Sequence, residues 1–399
     1  MYEMKQNEKL LKRFLKKKQK ITLSLIVAFL ITGGIACDEL QARDLRTRNK
    51  ENNLVKPDYG GPNLNTSANK TDVVNIVNPN SNGISHNKFI DLSVGTGNGL
   101  IFNNSMENGT SQIGGHVTKN SNLTSNAKVI LNEVTGNNVS NINGDIEIFG
   151  AKADFILANE NGITLNGATF INTNGITLST GKVSNIGNNI NFDVQKGNIE
   201  LNGVGTSGNY FNVLAKTVQI FKEISPLIGE HSPDISIIAG ENKLSTQVGK
   251  LNDINIVSSK KTTSDKYGIY ASEFGSMYGK NIKLISTDEG LGVKHEGLIV
   301  SERDIAIDSN GDIVLTSVNS QGKLDIKGKS LTTKKGISRD KENSFINSIS
   351  AKDNINLNIS GNINLESALQ STDGSIKIVA KNLTLADKTS ARIISKKIL

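Results

Sequence analysis

Apolar residues recur at every second position along most of this chain, in short runs that polar residues close. Examples are DIAI at 304–307, DIVL at 312–315 and NINL at both 354–357 and 362–365. A period of two is that of a strand with one buried face, and no helical spacing of apolar residues fits these segments. The pattern is most developed between Thr71 and about Gly205. It opens as VVNIVNPNSNGISHNKF at 73–89 and returns as ILANENGITLNG at 156–167, each an apolar run followed by Asn-x-Asn and a Gly. The run favours extended backbone, and the Asn side chains with the Gly supply a turn.

Similar runs at 99–102, 128–131, 142–149, 163–165, 176–178, 210–220, 234–239, 253–257 and 281–285 carry the pattern on towards the later DIAI and NINL segments. Strands this short cannot each bury a face alone, but stacked as rungs they share one continuous core. The expected fold is all-β, a right-handed parallel β-helix with short extra hairpins in the N-terminal capping region. Ile and Leu should point inward and Asn, Lys, Asp and Ser outward, with corner Asn residues stacking from rung to rung. An outer-membrane barrel would need strands of about ten residues and aromatic girdles. Aromatics are only 5% of the chain and Trp is absent.

Charge adds a boundary. Of 45 Lys and Arg and 38 Asp and Glu, residues 1–20 hold eight and two, leaving 37 against 36 for the rest. The net +7 therefore sits almost wholly in the first 20 residues, and no basic footprint for nucleic acid remains. That basic head precedes the uncharged apolar run ITLSLIVAFLITGGIA at 21–36, so residues 1–36 read as a secretory signal peptide. Cleavage is expected after Ala36 or after Ala42. Cys37 is the only cysteine, which excludes an intrachain disulfide framework. Residues 34–37 partly resemble a lipobox, with Gly34 where Leu is usual, so a lipid-anchored Cys37 stands as the alternative to a Cys that leaves with the leader or just follows it. Residues 37–70 read as a polar linker, 71–312 as the main domain and 313–399 as continuing β-helical repeats.

The candidate chemistry is thin. Asp145 and Glu147 share a strand face, as a glycosidase pair would, but the same rhythm is expected on any solvated strand face. Asp304, Asp308 and Asp312 read the same way. His86, His116, His231 and His295 are isolated, without a second ligand at metal spacing. Ser85 and His86 are adjacent, which puts them on opposite strand faces and not in a nucleophile pair. No catalytic, cofactor-binding or metal-binding residue is expected, and no enzyme.

Several segments in order along the chain carry a resemblance. Asn75–Asn80, 82–89, GLIFNNS at 99–105, Asn159-Glu160-Asn161-Gly162, 163–173, 210–220, 237–242, 267–271 and 282–293 resemble the N-terminal part of the filamentous haemagglutinin-like exoproteins of two-partner secretion. The resemblance covers roughly 72–312. It implies a right-handed β-helix that folds outside the cell after passage through a dedicated outer-membrane barrel transporter, whose periplasmic domains recognise this N-terminal domain. It also implies that the Asn-Pro-Asn and Asn-Pro-Asn-Gly turns matter for secretion and folding. Those roles fall on Asn78, Pro79, Asn80, Gly83, Asn159, Asn161 and Gly162. Glu160 stands where the family has Pro, which implies a weaker turn and not a lost one. The implied protein is an adhesin of the surface or medium of a Gram-negative bacterium, reached through the periplasm. Its ligand is unreadable. The alternatives are the shaft of a contact-dependent growth inhibition toxin without its effector, and a β-helical polysaccharide-degrading enzyme. The chain is expected to be a short member, a fragment or a degraded copy.

Overall fold

The computed structural model describes residues 51–184, 186–259, 265–335, 348–386 and 391–396. The expected signal peptide and Cys37 lie outside the described residues. Those described form strands, turns and loops, with no helix among them.

Each coil of the chain lays three short strands on three parallel stacks. The first stack runs through Asp72–Asn75, Gly99–Asn104, Asp145–Gly150, Ala168–Ile171 and Val204–Thr206. The second runs through Ile84–Ser93, Val129–Val134, Ala153–Asn159, Thr173–Ser179, Tyr210–Ala215 and Asp234–Ala239. The third runs through Ser140–Ile142, Ile163–Leu165, Asn198–Leu201, Thr217–Ile220 and Tyr267–Ala271. All of these pairings are parallel, with one register shift between Ala153 and Asp154, so inward side chains stack on their counterparts one coil away. This is the expected parallel β-helix. Two longer extended runs, Ile282–Ser301 and Ile305–Ser320, pass through all three stacks and pair with each other along most of their length. Beyond them the coils continue through Leu324–Gly328, Ile355–Ile359 and Ile376–Val379 on the second stack.

One apolar core fills the tube from Val74 to Leu369. Near its start it is aromatic: Phe155 lies 5.2 Å from Phe102 and 5.7 Å from Phe170, ring centre to ring centre. Further along it is mostly Ile, Leu and Val.

Three additions dress the N-terminal two thirds. Leu54–Pro57 pairs antiparallel with Ile84–Ser93, and Asn63–Thr66 with Asp72–Asn75, covering the first coil's edge. Both strands fall inside the stretch expected as a polar linker. Asn63–Thr66 is exposed throughout and Leu54–Pro57 at best half-buried, so neither needs the apolar alternation that would have revealed it. Second, the hairpin Gly109–Ser111/Gly115–Val117 covers Val73, Ile101 and Phe149 on the outside of the first stack. Third, Lys182–Ser184, Asn189–Val194, Asn242–Gln247 and Lys250–Ser259 form a separate four-stranded antiparallel sheet.

That sheet is built from two insertions that leave the same corner, between the second and third stacks. Its Val183, Ile190, Phe192, Leu244 and Leu251 close over Ile156, Leu131, Leu214 and Ile238, which point outward from the second stack. The outward face there is therefore apolar, not the polar face expected. Residues 253–257, read as a rung, belong to this sheet instead, with Val257 67% exposed. Period-two alternation identifies a strand but not its partner.

Candidate functional site

The first Asn-rich turn, Asn78-Pro79-Asn80, joins the first stack to Ile84–Ser93 of the second. The Asn80 backbone N–H donates to the Ile84 carbonyl at 2.9 Å, and the Gly83 N–H donates back to the Asn80 carbonyl at 2.9 Å. The Asn80 side-chain oxygen also accepts from the N–H groups of Asn82 (3.0 Å) and Ile84 (3.1 Å), the self-bonding that makes Asn a turn residue. Gly83 sits at φ +81°, a left-handed conformation that favours glycine.

The turn is clamped from two sides. From its own return strand, Ser85 Oγ donates to the Val77 carbonyl at 2.7 Å, and Asn87 Oδ1 accepts from the Val77 N–H at 3.0 Å. From the loop leading to the next coil, the Thr124 N–H and hydroxyl both donate to Asn78 Oδ1, at 2.8 and 3.0 Å. Pro79 is buried, while Asn78 and Asn80 are exposed.

The second turn, Asn159 to Gly162, closes the corner between Ala153–Asn159 and Ile163–Leu165. The Gly162 N–H donates to the Asn159 carbonyl at 3.1 Å, and the Asn161 N–H to Asn159 Oδ1 at 2.9 Å. The turn forms with Glu160 in place of Pro. Asn159 Nδ2 reaches the preceding coil, donating to the Asn138 carbonyl (2.9 Å) and Ser140 Oγ (3.0 Å), and Asn161 Nδ2 donates to the Gly136 carbonyl at 2.8 Å. Gly162 has φ +125°, and a β-carbon there would stand 2.9 Å from the Asn198 carbonyl oxygen. Asn159 and Gly162 are buried.

The two motifs do not meet. One precedes the second stack and the other follows it, at opposite ends of strands separated by Val129–Val134. Each is a clamp between neighbouring coils, built mainly of Asn amide and backbone hydrogen bonds.

The carboxylates have other work. Glu147 is 3% exposed, against the solvated face expected for it. Its Oε2 accepts from Ser111 Oγ (2.6 Å) and the Ile113 N–H (3.0 Å), and its Oε1 from the Gln112 N–H (3.0 Å). It holds the tip of the hairpin against the first stack, its charge met by backbone donors as in an anion nest. Asp145 is tied to the Thr169 hydroxyl on the next coil, and burial raises its pKa against that bond. The two carboxylates thus serve different partners, the hairpin for Glu147 and the next coil for Asp145. Asp304 and Asp308 serve the surface between coils, Asp304 accepting from the Lys323 N–H at 2.8 Å and Asp308 pairing with Lys327 at 3.1 Å. Asp312 accepts from Ser330 at 2.7 Å.

His86 pairs with Glu133 at 2.7 Å on the outside of the second stack, while Ser85 is wholly buried beside it. His295 is buried in the core, between Ala271 and Leu315 on neighbouring coils, and burial lowers its pKa to about 4. Among the described residues no group of three His, Cys, Asp or Glu could hold a metal ion.

A cleft between the second stack and the extra sheet, lined by Asp154, Tyr210 and Asp234 among others, was missed in the sequence. It is assembled from six successive coils, represented by Asp154, Asn174, Tyr210, Asp234, Lys280 and Glu302, and an insertion, and no local pattern marks such a site.

A family model described as the TPS secretion domain matches residues 49–315. Filamentous hemagglutinin of Bordetella pertussis is 41% identical over 264 residues, which cover 65% of this chain and 7% of that protein. The 16S rRNA endonuclease CdiA of Enterobacter cloacae is 34% identical over 281 residues, 68% of this chain and 8% of that protein. The crystal structure of filamentous hemagglutinin secretion domain matches with a TM-score of 0.61 at 30% identity, over 85% of this chain and 99% of that one. This chain thus spans less than a tenth of the length of those two curated relatives.

Proposed function

The chain belongs to the TPS secretion domain family, and from that premise we propose that it is the exported part of a two-partner secretion pair, acting as an adhesin. Membership of this family means export across the outer membrane to the surface or medium. The partner is an outer-membrane transporter whose periplasmic domains receive residues 71–312, with residues 1–36 as signal peptide and 313–399 as further coils of the same shaft.

The observation that carries this reading is the family match over 49–315, within which both Asn-rich turns are formed as clamps between neighbouring coils. The two turns divide the work by exposure. Asn78 and Asn80 stand in solvent where a partner can read them, whereas Asn159 and Gly162 are buried and act through folding. The shaft itself carries no catalytic role, and adhesion through its surface is the function. Likeness to the CdiA protein supports a second reading, in which the same domain delivers a toxin.

Export of the full chain should be compared in cells with and without the transporter encoded beside it. Surface or medium protein that depends on the transporter is expected. Equal export without any such transporter would overturn the reading.

A further inference from the structure

Where the second stack begins, each coil presents a polar residue, and these side chains form a ladder. Asn174 Nδ2 donates to Asp154 Oδ1 at 2.7 Å, and Asn209 Nδ2 donates to Asn174 Oδ1 at 3.0 Å. Asn281 Nδ2 donates to Asp234 Oδ1 at 2.8 Å. Between Asn209 and Asp234 the side-chain ladder is broken, and at this position the coils meet through the backbone bond from the Asp234 N–H to the Asn209 carbonyl, 2.9 Å, at the head of the parallel pairing of Tyr210–Ala215 with Asp234–Ala239.

A cleft of about 590 Å³ opens at the break. Its far wall is Gly249, Leu251 and Asn252 of the extra sheet, so the opening lies between the β-helix and its insertion. A smaller hollow of about 180 Å³ shares Asp234 and Asn252 with it, extending it along the sheet. The combined size is in the range of small-ligand sites, roughly 300–1,000 Å³.

The groups left over at the break are mostly acceptors. Asn209 Oδ1 and Asp234 Oδ2 have no side-chain partner among the described residues. Asp154 is 7% exposed, yet both of its side-chain bonds, from Asn174 and from the Tyr210 hydroxyl (2.8 Å), fall on Oδ1. Its Oδ2 is left to the cleft that the residue lines. The Asn252 amide and Lys280 Nζ, also on the lining, have no protein partner among the described residues. The wall is firmly held. Tyr210 lies so close over Gly175 that a β-carbon there would come within 2.0 Å of its ring.

Acceptors without protein donors, held in place on a firm and open wall, suit a ligand rich in hydroxyl donors. A bare cation is disfavoured by Lys280 in the same lining, and an acidic ligand by Asp154, Asp234 and Glu302. Leu251 and Asn252 lie on an edge strand of the extra sheet, but the Leu251 carbonyl is already taken by Asn212 Nδ2 at 2.8 Å and the rest of the lining offers side chains, so an extended peptide is disfavoured. We propose that the cleft binds a neutral saccharide of one or two rings, with Asp154, Asn209 and Asp234 accepting from its hydroxyls and Asn252 and Lys280 donating to its oxygens. The proposal deepens the adhesin reading and rests on it for its biological use. Binding itself is measured on purified protein, so it stands or falls apart from transporter dependence.

The test is calorimetric titration of the purified full chain with lactose, cellobiose and 3′-sialyllactose. Asn252→Trp fills the cleft from an exposed wall position, and Asn209→Ala removes one acceptor. Saturable binding of a neutral disaccharide is expected, weakened about tenfold or more by Asn252→Trp and several-fold by Asn209→Ala. Sialyllactose should bind more weakly than lactose. The proposal is overturned if neither neutral disaccharide saturates, if sialyllactose binds as well as lactose, or if Asn252→Trp, shown folded by circular dichroism, binds like the wild type.

Discussion

The two ends of this solenoid are built from the same coil but differ in what covers it. Up to about residue 280 the outer faces are dressed by cap, hairpin and four-stranded sheet, and strands such as Ala153–Asn159 and Tyr210–Ala215 are buried at every position. Beyond it the coil is bare. Leu324–Gly328 and Ile355–Ile359 alternate buried and exposed along their whole length, and exposed side chains pair from coil to coil, as Asn382 does with Asn362 at 2.9 Å. Core stacking alone suffices to propagate the coil. The dressing marks the region where the Asn-rich turns lie.

That contrast predicts graded costs. The largest belongs to the aromatic core of the dressed half. Phe155→Ala, which empties the space between Phe102 and Phe170, should cost about 3–5 kcal/mol, read from the urea midpoint. A cost near 1 kcal/mol would mean that the surrounding coils collapse into the gap and that the dressed half is no more tightly specified than the bare one.

Acid comes next, and acts at the junction of the two halves through His295. Above pH 6.5 the imidazole is neutral in both folded and unfolded chain. As pH falls from 6.5, the unfolded chain takes up a proton that the buried ring refuses until about pH 4, so stability declines across that window and levels off below it. The loss is bounded at about 3 kcal/mol. Asp145 and Asp154, whose pKa values burial raises, work in the opposite sense at the acid end, so the comparison to make is wild type against His295→Leu. The variant should show a flatter stability profile between pH 6.5 and 4, and an unchanged slope would refute the buried neutral ring. The smallest effect lies on the bare half. Lys327→Ala breaks an exposed pair with Asp308 and should shift stability by less than about 0.5 kcal/mol.

Legibility followed the same division. On the bare half the inward Ile and Leu of 305–331 and 349–369 alternate with polar residues, so sequence alone gives both strand and buried face. On the dressed half a second apolar set, Ile156, Leu131 and Leu214, points outward, and 253–257 carries the rhythm of a rung while pairing in another sheet. Glu147 was unreadable for a related reason: its donors lie about 35 residues away, on a hairpin held by a carboxylate and not by its own apolar pattern. The Asn-rich turns were legible because their chemistry is local. Asn80 bonds backbone only two and four residues on, and Gly83 is needed for its φ.

The most direct test of the division sets one position against another in an export assay with the transporter present. Asn78, Pro79 and Asn80 are changed together to alanine in one chain, and Asn362 and Asn382, an exposed pair where two strands of the bare half begin, in another. The first chain should remain in the cells while the second reaches the surface or medium at the wild-type level. Equal export of both would contradict the account, because the dressed half would then hold no privileged role in secretion.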